Sequence, residues 1–149
     1  KLNIAGEVDK KNNSCLEKKI LTNLYKNKNI CFIGKSENML GLYKKIDIVI
    51  LPSWREGLSK SLLEAASMGL PIITTDVPGC NDIIQNQVSG ILVPPKDSKK
   101  LKIAIKNLLD NPNLAIHYGE NARKSVSQNF TYQKINKKLI NIYKQVLEK

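Results

Sequence analysis

The sequence predicts an α/β domain, a Rossmann-like parallel sheet in three layers that ends in a helical C-terminal segment. Three observations carry that reading. Short runs rich in Ile and Val recur through the first two thirds of the chain without the polar alternation of a half-exposed sheet. Stretches with apolar residues at helical spacing fall between those runs. Beyond Pro94-Pro95 the pattern is wholly helical. Strands that alternate with helices bury both faces of a parallel sheet.

Leu2 to Ile4 predict a first strand, closed by Gly6-Glu7. Leu16, Ile20, Leu21 and Leu24 predict a helix, with Ser14 as N-cap and Glu17 three residues on. Ile30-Cys31-Phe32-Ile33, ending in Gly34, reads as a buried strand. Met39, Leu40, Leu42, Tyr43 and Ile46 predict a short helix leading into a strand from Ile48 to Leu51. A polar turn then gives way to a helix over 59–68 and a strand over 72–75. Val77-Pro78-Gly79-Cys80 reads as a turn, followed by a short helix around Asp82 to Gln85. Gly90-Ile91-Leu92-Val93 is the last strand, stopped by Pro94-Pro95. Three amphipathic helices complete the chain. Leu101, Ile105, Leu108 and Leu109 mark one that begins near Asp97-Ser98, and Leu114 to Val126 a second. Ile135, Leu139, Ile142 and Val146 mark a third, over 132–148, with lysines on its opposite face.

The 149 residues form one domain by size, large enough to bury a core. No internal repeat, low-complexity linker or second domain boundary interrupts residues 1–149. An apolar content of 42% excludes a disordered chain, and no window approaches the roughly 20 apolar residues of a membrane span. Cys15, Cys31 and Cys80 are scattered, in no metal spacing, as expected of reduced thiols in a cytosolic protein. A formal charge of +11 points to a solvated basic surface, then to an anionic membrane, with nucleic acid last. No aromatic residues interleave with the lysines in the manner that stacks bases. Lys1-Leu2-Asn3-Ile4 reads as a strand in progress, with no initiator Met, as expected of a fragment of a longer protein.

In open parallel sheets ligands bind past the carboxyl ends of the strands. Gly34, Pro52 to Gly57 and Val77 to Cys80 stand at such ends, and the expectation is that they line one rim. Glu56 falls in the turn after the strand, beside Gly57, whose missing Cβ lets a ligand approach the backbone. Glu64 falls inside the helix that follows. A helix N-terminus at Leu58-Ser59 offers N–H groups to an anion, with a carboxylate on either side. That arrangement suits a molecule carrying both hydroxyls and phosphates, such as a sugar nucleotide.

Glu56-Gly57-Leu58-Ser59 through Leu63-Glu64-Ala65 to Gly69-Leu70-Pro71 resembles the Glu-x7-Glu signature of retaining GT-B glycosyltransferases. More narrowly, the chain is similar to the glycosyl transferases group 1, glycosyltransferase family four. Phe32-Ile33-Gly34, Leu51-Pro52-Ser53, Thr75 to Cys80, Ser89 to Val93 and Asn121-Ala122-Arg123 stand where that family has its motifs. Arg55-Glu56-Gly57-Leu58 and Asp76-Val77-Pro78-Gly79-Cys80 resemble bacterial enzymes of capsule, O-antigen or lipid-linked oligosaccharide synthesis, many of which use UDP-sugars.

The resemblance implies the C-terminal, donor-binding half of a GT-B fold, its first strand lying upstream of Lys1. It implies transfer of a glycosyl group from a nucleoside diphosphate sugar, a UDP-sugar first, to a hydroxyl acceptor with retention. Glu64 would accept from the ribose hydroxyls, and Glu56 would serve as the catalytic residue at the transferred sugar. The N–H groups of Gly57, Leu58 and Ser59 would face the sugar and distal phosphate, with Leu63 and Ser53 beside the donor. Phe32, Ile33 and Gly34 would hold the base edge, and Lys60 would add a cation near the diphosphate. No cofactor and no metal is expected, since the chain lacks the Asp-x-Asp pair by which GT-A enzymes hold a divalent ion on the diphosphate. The implied partners are the nucleotide sugar, the protein's own N-terminal acceptor domain, and a lipid-linked acceptor or the inner membrane surface, with no nucleic acid. The implied place is the cytoplasm, peripheral at the inner face of the plasma membrane. The family's basic Gly-rich turn would lie upstream of Lys1, so the isolated chain is expected to be inactive.

Plainer readings stand beside these. On spacing alone Glu64 reads as a solvated helix residue, a reading that the surrounding motif outweighs. Glu56 has the lesser alternative of a helix cap, and Trp54 and Arg55 read equally well as rim packing and a surface charge. His117 reads as a surface or packing residue, and Asp76 and Asp82 as turn formers. Alternatives at the level of function are a GT-B-like sugar-nucleotide epimerase, a non-catalytic nucleotide-sugar-binding module and a basic nucleic-acid-binding domain.

Overall fold

A computed structural model describes residues 1–7 and 18–147. They divide into two compact units, residues 1–42 and 43–149. The Ser14 cap, Leu16, Glu17 and Cys15 lie outside the described residues.

In the first unit β1 (Leu2–Ala5) pairs in parallel with β2 (Ile30–Gly34), Leu2 opposite Ile30 and Ala5 opposite Gly34. Helix α1 (Lys18–Tyr25) connects them and packs on β2, where the Tyr25 and Phe32 ring centroids lie 4.2 Å apart. Gly34 ends β2 at φ 72, the left-handed region that suits a residue without Cβ. Helix α2 (Met39–Tyr43) is shorter than the predicted Met39-to-Ile46 pattern. It begins where the Asn38 side-chain oxygen accepts from the Gly41 N–H, and it stops before the Lys44-Lys45 turn.

The second unit holds a parallel sheet in the order β3-β4-β5, with β3 at Val49–Leu51, β4 at Ile72–Thr75 and β5 at Ile91–Val93. The central strand β4 is buried at every residue, as its unbroken apolar and β-branched run requires. Register places Ile50 beside Ile73 and Ile73 beside Ile91. Side chains alternate across a strand, so Ile48, Ile50, Ile73, Ile91 and Val93 share one face. That face packs against Ala104 and Leu108 of α4 (Ser98–Asp110) and Ala115 and Tyr118 of α5 (Pro112–Asn129). Asp97 caps α4 by accepting from the Lys100 N–H at 2.9 Å, where the sequence placed the helix start.

Between β3 and β4 runs α3 (Lys60–Ser67), with Leu62, Ala65 and Ala66 buried. It packs on α5 at a point where only glycine fits: a Cβ on Gly119 would strike the carbonyl oxygen of Gly69. Residues 76–90 carry turns where a short helix was expected around Asp82 to Gln85. The physical reason is local capture. The Gln85 N–H donates to Ser89 Oγ at 2.9 Å instead of to a carbonyl of the preceding turn, so a helix does not propagate. The Gly79 N–H donates to the Asp82 carboxylate and Asn81 to Asp76, which makes both aspartates turn formers as expected.

Helix α6 (Tyr132–Leu147) ends the described chain with no buried residue. No helix among the described residues is long and apolar enough to cross a membrane.

Candidate functional site

The loop from Pro52 to Ser59 leaves the carboxyl end of β3 and enters α3. Its shape is set mainly from the neighbouring strand. Thr74 Oγ1 donates to the Leu51 carbonyl at 2.8 Å, and Thr75 Oγ1 donates to the Ser53 carbonyl. Both threonines are fully buried with their hydroxyls engaged, so β4 uses its only polar side chains to fix the start of this loop. The turn after β4 closes on it too. Gly79 sits at φ 81, and a Cβ there would overlap the Gly57 carbonyl and come within 2.8 Å of the Glu56 carbonyl. Pro52 to Gly57 and Val77 to Cys80 therefore meet on one rim, as the sheet topology predicted. Gly34 ends β2 in the other unit.

Within the loop, Ser53 Oγ lies 2.8 Å from Glu56 Oε1 and donates to it, which holds the half-buried carboxylate near the strand end. Gly57 is exposed, and nothing lies within 4 Å of where its Cβ would be, so its backbone is open to a bound molecule. Leu58 is exposed. Ser59 is the buried N-cap residue of α3, yet its hydroxyl makes no capping bond and lies instead 3.0 Å from Ser61 Oγ. The first-turn N–H groups of α3 thus keep the capacity to meet an anion. Glu56 does not cap this helix.

Seven residues, Gly57 to Leu63, separate Glu56 from Glu64, which rides on α3. Lys60 Nζ lies 3.6 Å from Glu64 Oε1, one helical turn away. Tyr43, only 4% exposed, donates its hydroxyl to the Ser61 carbonyl at 3.1 Å and lies 3.5 Å from Glu64 Oε2. Burial first, and then the Glu64 charge, push the Tyr43 hydroxyl up to about 12. Leu63 is half-buried on the same helix.

Glu56, Gly57, Leu58, Ser59, Lys60, Leu63, Glu64 and Ser53 therefore share one loop-and-helix segment of the second unit. Phe32, Ile33 and Gly34 share the carboxyl end of β2 in the first. Trp54 is 60% exposed, and Lys96 Nζ sits 4.7 Å above its ring, a cation–π contact that ties the loop to the segment after β5. His117 is exposed on α5 beside Asn121, a surface residue as read from the sequence. Among the described residues no three His, Cys, Asp or Glu side chains gather as a metal site would need. Sequence reasoning placed Tyr43 in a helix and Thr75 in a strand and a family motif without giving either a role at the site, and it did not single out Lys96. The signals for the first two were present, as a lone aromatic in a short helix and a polar end to an apolar strand.

A family model described as glycosyl transferases group 1 matches residues 1–125. A capsular polysaccharide biosynthesis glycosyltransferase, CapM, of Staphylococcus aureus is 30% identical over 125 residues, 84% of this chain and 33% of that protein. Among solved structures, a sucrose-phosphate synthase from Thermosynechococcus elongatus superposes over 99% of this chain and 38% of its own, with TM-score 0.82 at 26% identity. Anabaena HepE in complex with UDP superposes over 96% of this chain and 40% of its own, with TM-score 0.85 at 20% identity, a likeness of fold. The chain spans 31–33% of the length of three curated relatives that it matches.

Proposed function

The chain belongs to the glycosyl transferases group 1 family, and from that premise we propose that it is the donor-binding part of a retaining glycosyltransferase. On this reading residues 1–149 make up one nucleotide-sugar-binding domain of a longer protein, in keeping with a family model that runs through both units. The reaction moves a glycosyl group from a nucleoside diphosphate sugar to a hydroxyl acceptor. The observation that carries the proposal is the pair Glu56 and Glu64, set on either side of an α3 N-terminus whose N–H groups have no side-chain cap.

Each part has a physical task. Glu64 accepts from the two ribose hydroxyls, since a carboxylate offers two oxygens to a vicinal diol. Such charge-assisted bonds contribute about 1.5–3 kcal/mol each. The N–H groups of Gly57, Leu58 and Ser59, aided by the helix dipole, meet the sugar and distal phosphate. Charge on the departing diphosphate is met by these groups and by basic side chains, without a metal ion. Lys60, in the first turn of α3, is a candidate cation. Exposed helix ion pairs such as Lys60–Glu64 are worth only about 0.3–0.5 kcal/mol, so its ammonium is free to turn toward a phosphate. Glu56 meets hydroxyls of the transferred sugar and steadies positive charge at the anomeric carbon. With no enzyme nucleophile assigned, transfer proceeds on one face, the departing diphosphate helping to deprotonate the acceptor. Phe32, Ile33 and Gly34 receive the base edge. UDP is the favoured nucleotide: a similar protein is a capsular polysaccharide biosynthesis glycosyltransferase, and HepE was solved with UDP.

The acceptor site belongs to an N-terminal domain, and the acceptor class is a cell-surface polysaccharide or lipid-linked oligosaccharide. We place the enzyme in the cytoplasm, at the inner face of the plasma membrane, where the lysine face of α6 meets anionic headgroups. Calorimetric titration of the chain with UDP, GDP and ADP, with and without EDTA, tests the donor reading. The expected result is one preferred nucleotide, insensitive to EDTA, whose affinity falls about tenfold or more in Glu64→Gln (about 1.4 kcal/mol). Equal binding by the variant would remove Glu64 from the site.

A further inference from the structure

Resting on the reading of Glu64 as the ribose acceptor, we propose that Tyr43 is a positioning residue that aims the Glu64 carboxylate at the donor's diol. Tyr43, the last residue of α2 and the first of the second unit, stands 21 residues before Glu64, and its hydroxyl lies between the Ser61 carbonyl and Glu64 Oε2. On the other side, Lys60 Nζ approaches Oε1 of the same carboxylate. Each oxygen of Glu64 thus has one protein partner.

An ionised carboxylate offers about four acceptor sites on its two oxygens. Tyr43 takes one on Oε2, and once Lys60 turns to a phosphate both sites on Oε1 are open, so two adjacent hydroxyls find an acceptor on each oxygen. The two partners differ in stiffness. Lys60 is a long, exposed side chain, 89% accessible, whereas Tyr43 is buried and rigid. Orientation is therefore set from the Tyr43 side, and Lys60 supplies charge. With its hydroxyl pushed up to about 12, Tyr43 remains a donor at any working pH. The phenol shares its one proton between the Ser61 carbonyl and Glu64 Oε2, so it ties the turn of α3 that carries Glu64 to the side chain itself.

The test compares UDP with 2′,3′-dideoxy-UDP, which lacks both hydroxyls, on the wild-type chain and on Tyr43→Phe, Glu64→Gln and the double variant. Tyr43→Phe keeps the ring and removes only the donor. It is expected to weaken UDP about fivefold to tenfold and to leave dideoxy-UDP unchanged, which at once shows that the variant is folded. The double variant is expected to bind UDP no more weakly than Glu64→Gln alone, because Tyr43 acts through Glu64. If Tyr43→Phe weakens both nucleotides equally, or neither, Tyr43 supports the helix and nothing more, and the inference falls alone. If Glu64→Gln itself fails to distinguish the two nucleotides, the diol reading of Glu64 falls and takes this inference with it.

Discussion

Tyr43 carries a consequence for stability as well as for binding. Burial beside the Glu64 carboxylate raises its hydroxyl from 10.0 to about 12, so the folded chain holds that proton where the unfolded chain has lost it. The stabilisation tied to this group is complete below pH 10 and disappears as pH rises through 12. Denaturation midpoints of wild type and Tyr43→Phe, followed across that interval, should therefore converge. Parallel curves would show that Tyr43 titrates as in water. The same residue shows where single-sequence reading stops. Glu56 and Glu64 were legible because their spacing and neighbouring glycines belong to one continuous segment. Tyr43 was read as an apolar helix position, and its bond to a residue 21 positions away leaves no trace in local periodicity.

At the scale of elements, the loop that carries Glu56 is held from three directions by groups outside it. These are the Thr74 and Thr75 hydroxyls, the backbone at Gly79 and the Lys96 ammonium. Gly79 tolerates no change. Alanine there would combine a left-handed φ with overlap against the Gly57 carbonyl, and we expect Gly79→Ala to cost at least about 2 kcal/mol. Urea denaturation measures this directly, and an unchanged midpoint would mean that the two turns part freely. The five strands among the described residues were legible from their apolar runs, but only β4 is buried throughout; β1 is mostly exposed and β2, read as buried, exposes Cys31. The expected helix at 82–85 failed because Ser89 intercepts the Gln85 N–H, a side-chain competition that hydropathy does not register.

For the molecule as a whole, 24 basic against 13 acidic residues leave a large positive excess. Helix α6 concentrates it, with Lys134, Lys137, Lys138 and Lys144 and no acidic residue between Tyr132 and Leu147. Lysines near an anionic bilayer contribute about 1 kcal/mol each. Lys137→Glu with Lys138→Glu is thus expected to reduce co-sedimentation with phosphatidylserine vesicles by roughly tenfold or more. Equal sedimentation with neutral phosphatidylcholine vesicles would argue against an electrostatic origin. Trp54 offers a different kind of access to the same molecule. It is the single tryptophan of 149 residues, 60% exposed, two positions from Glu56 and under the Lys96 ammonium. Its emission comes from one indole on the loop of interest, so the chain carries its own fluorophore there. Occupancy of that rim can be followed in real time, by stopped flow, on protein to which no label has been attached.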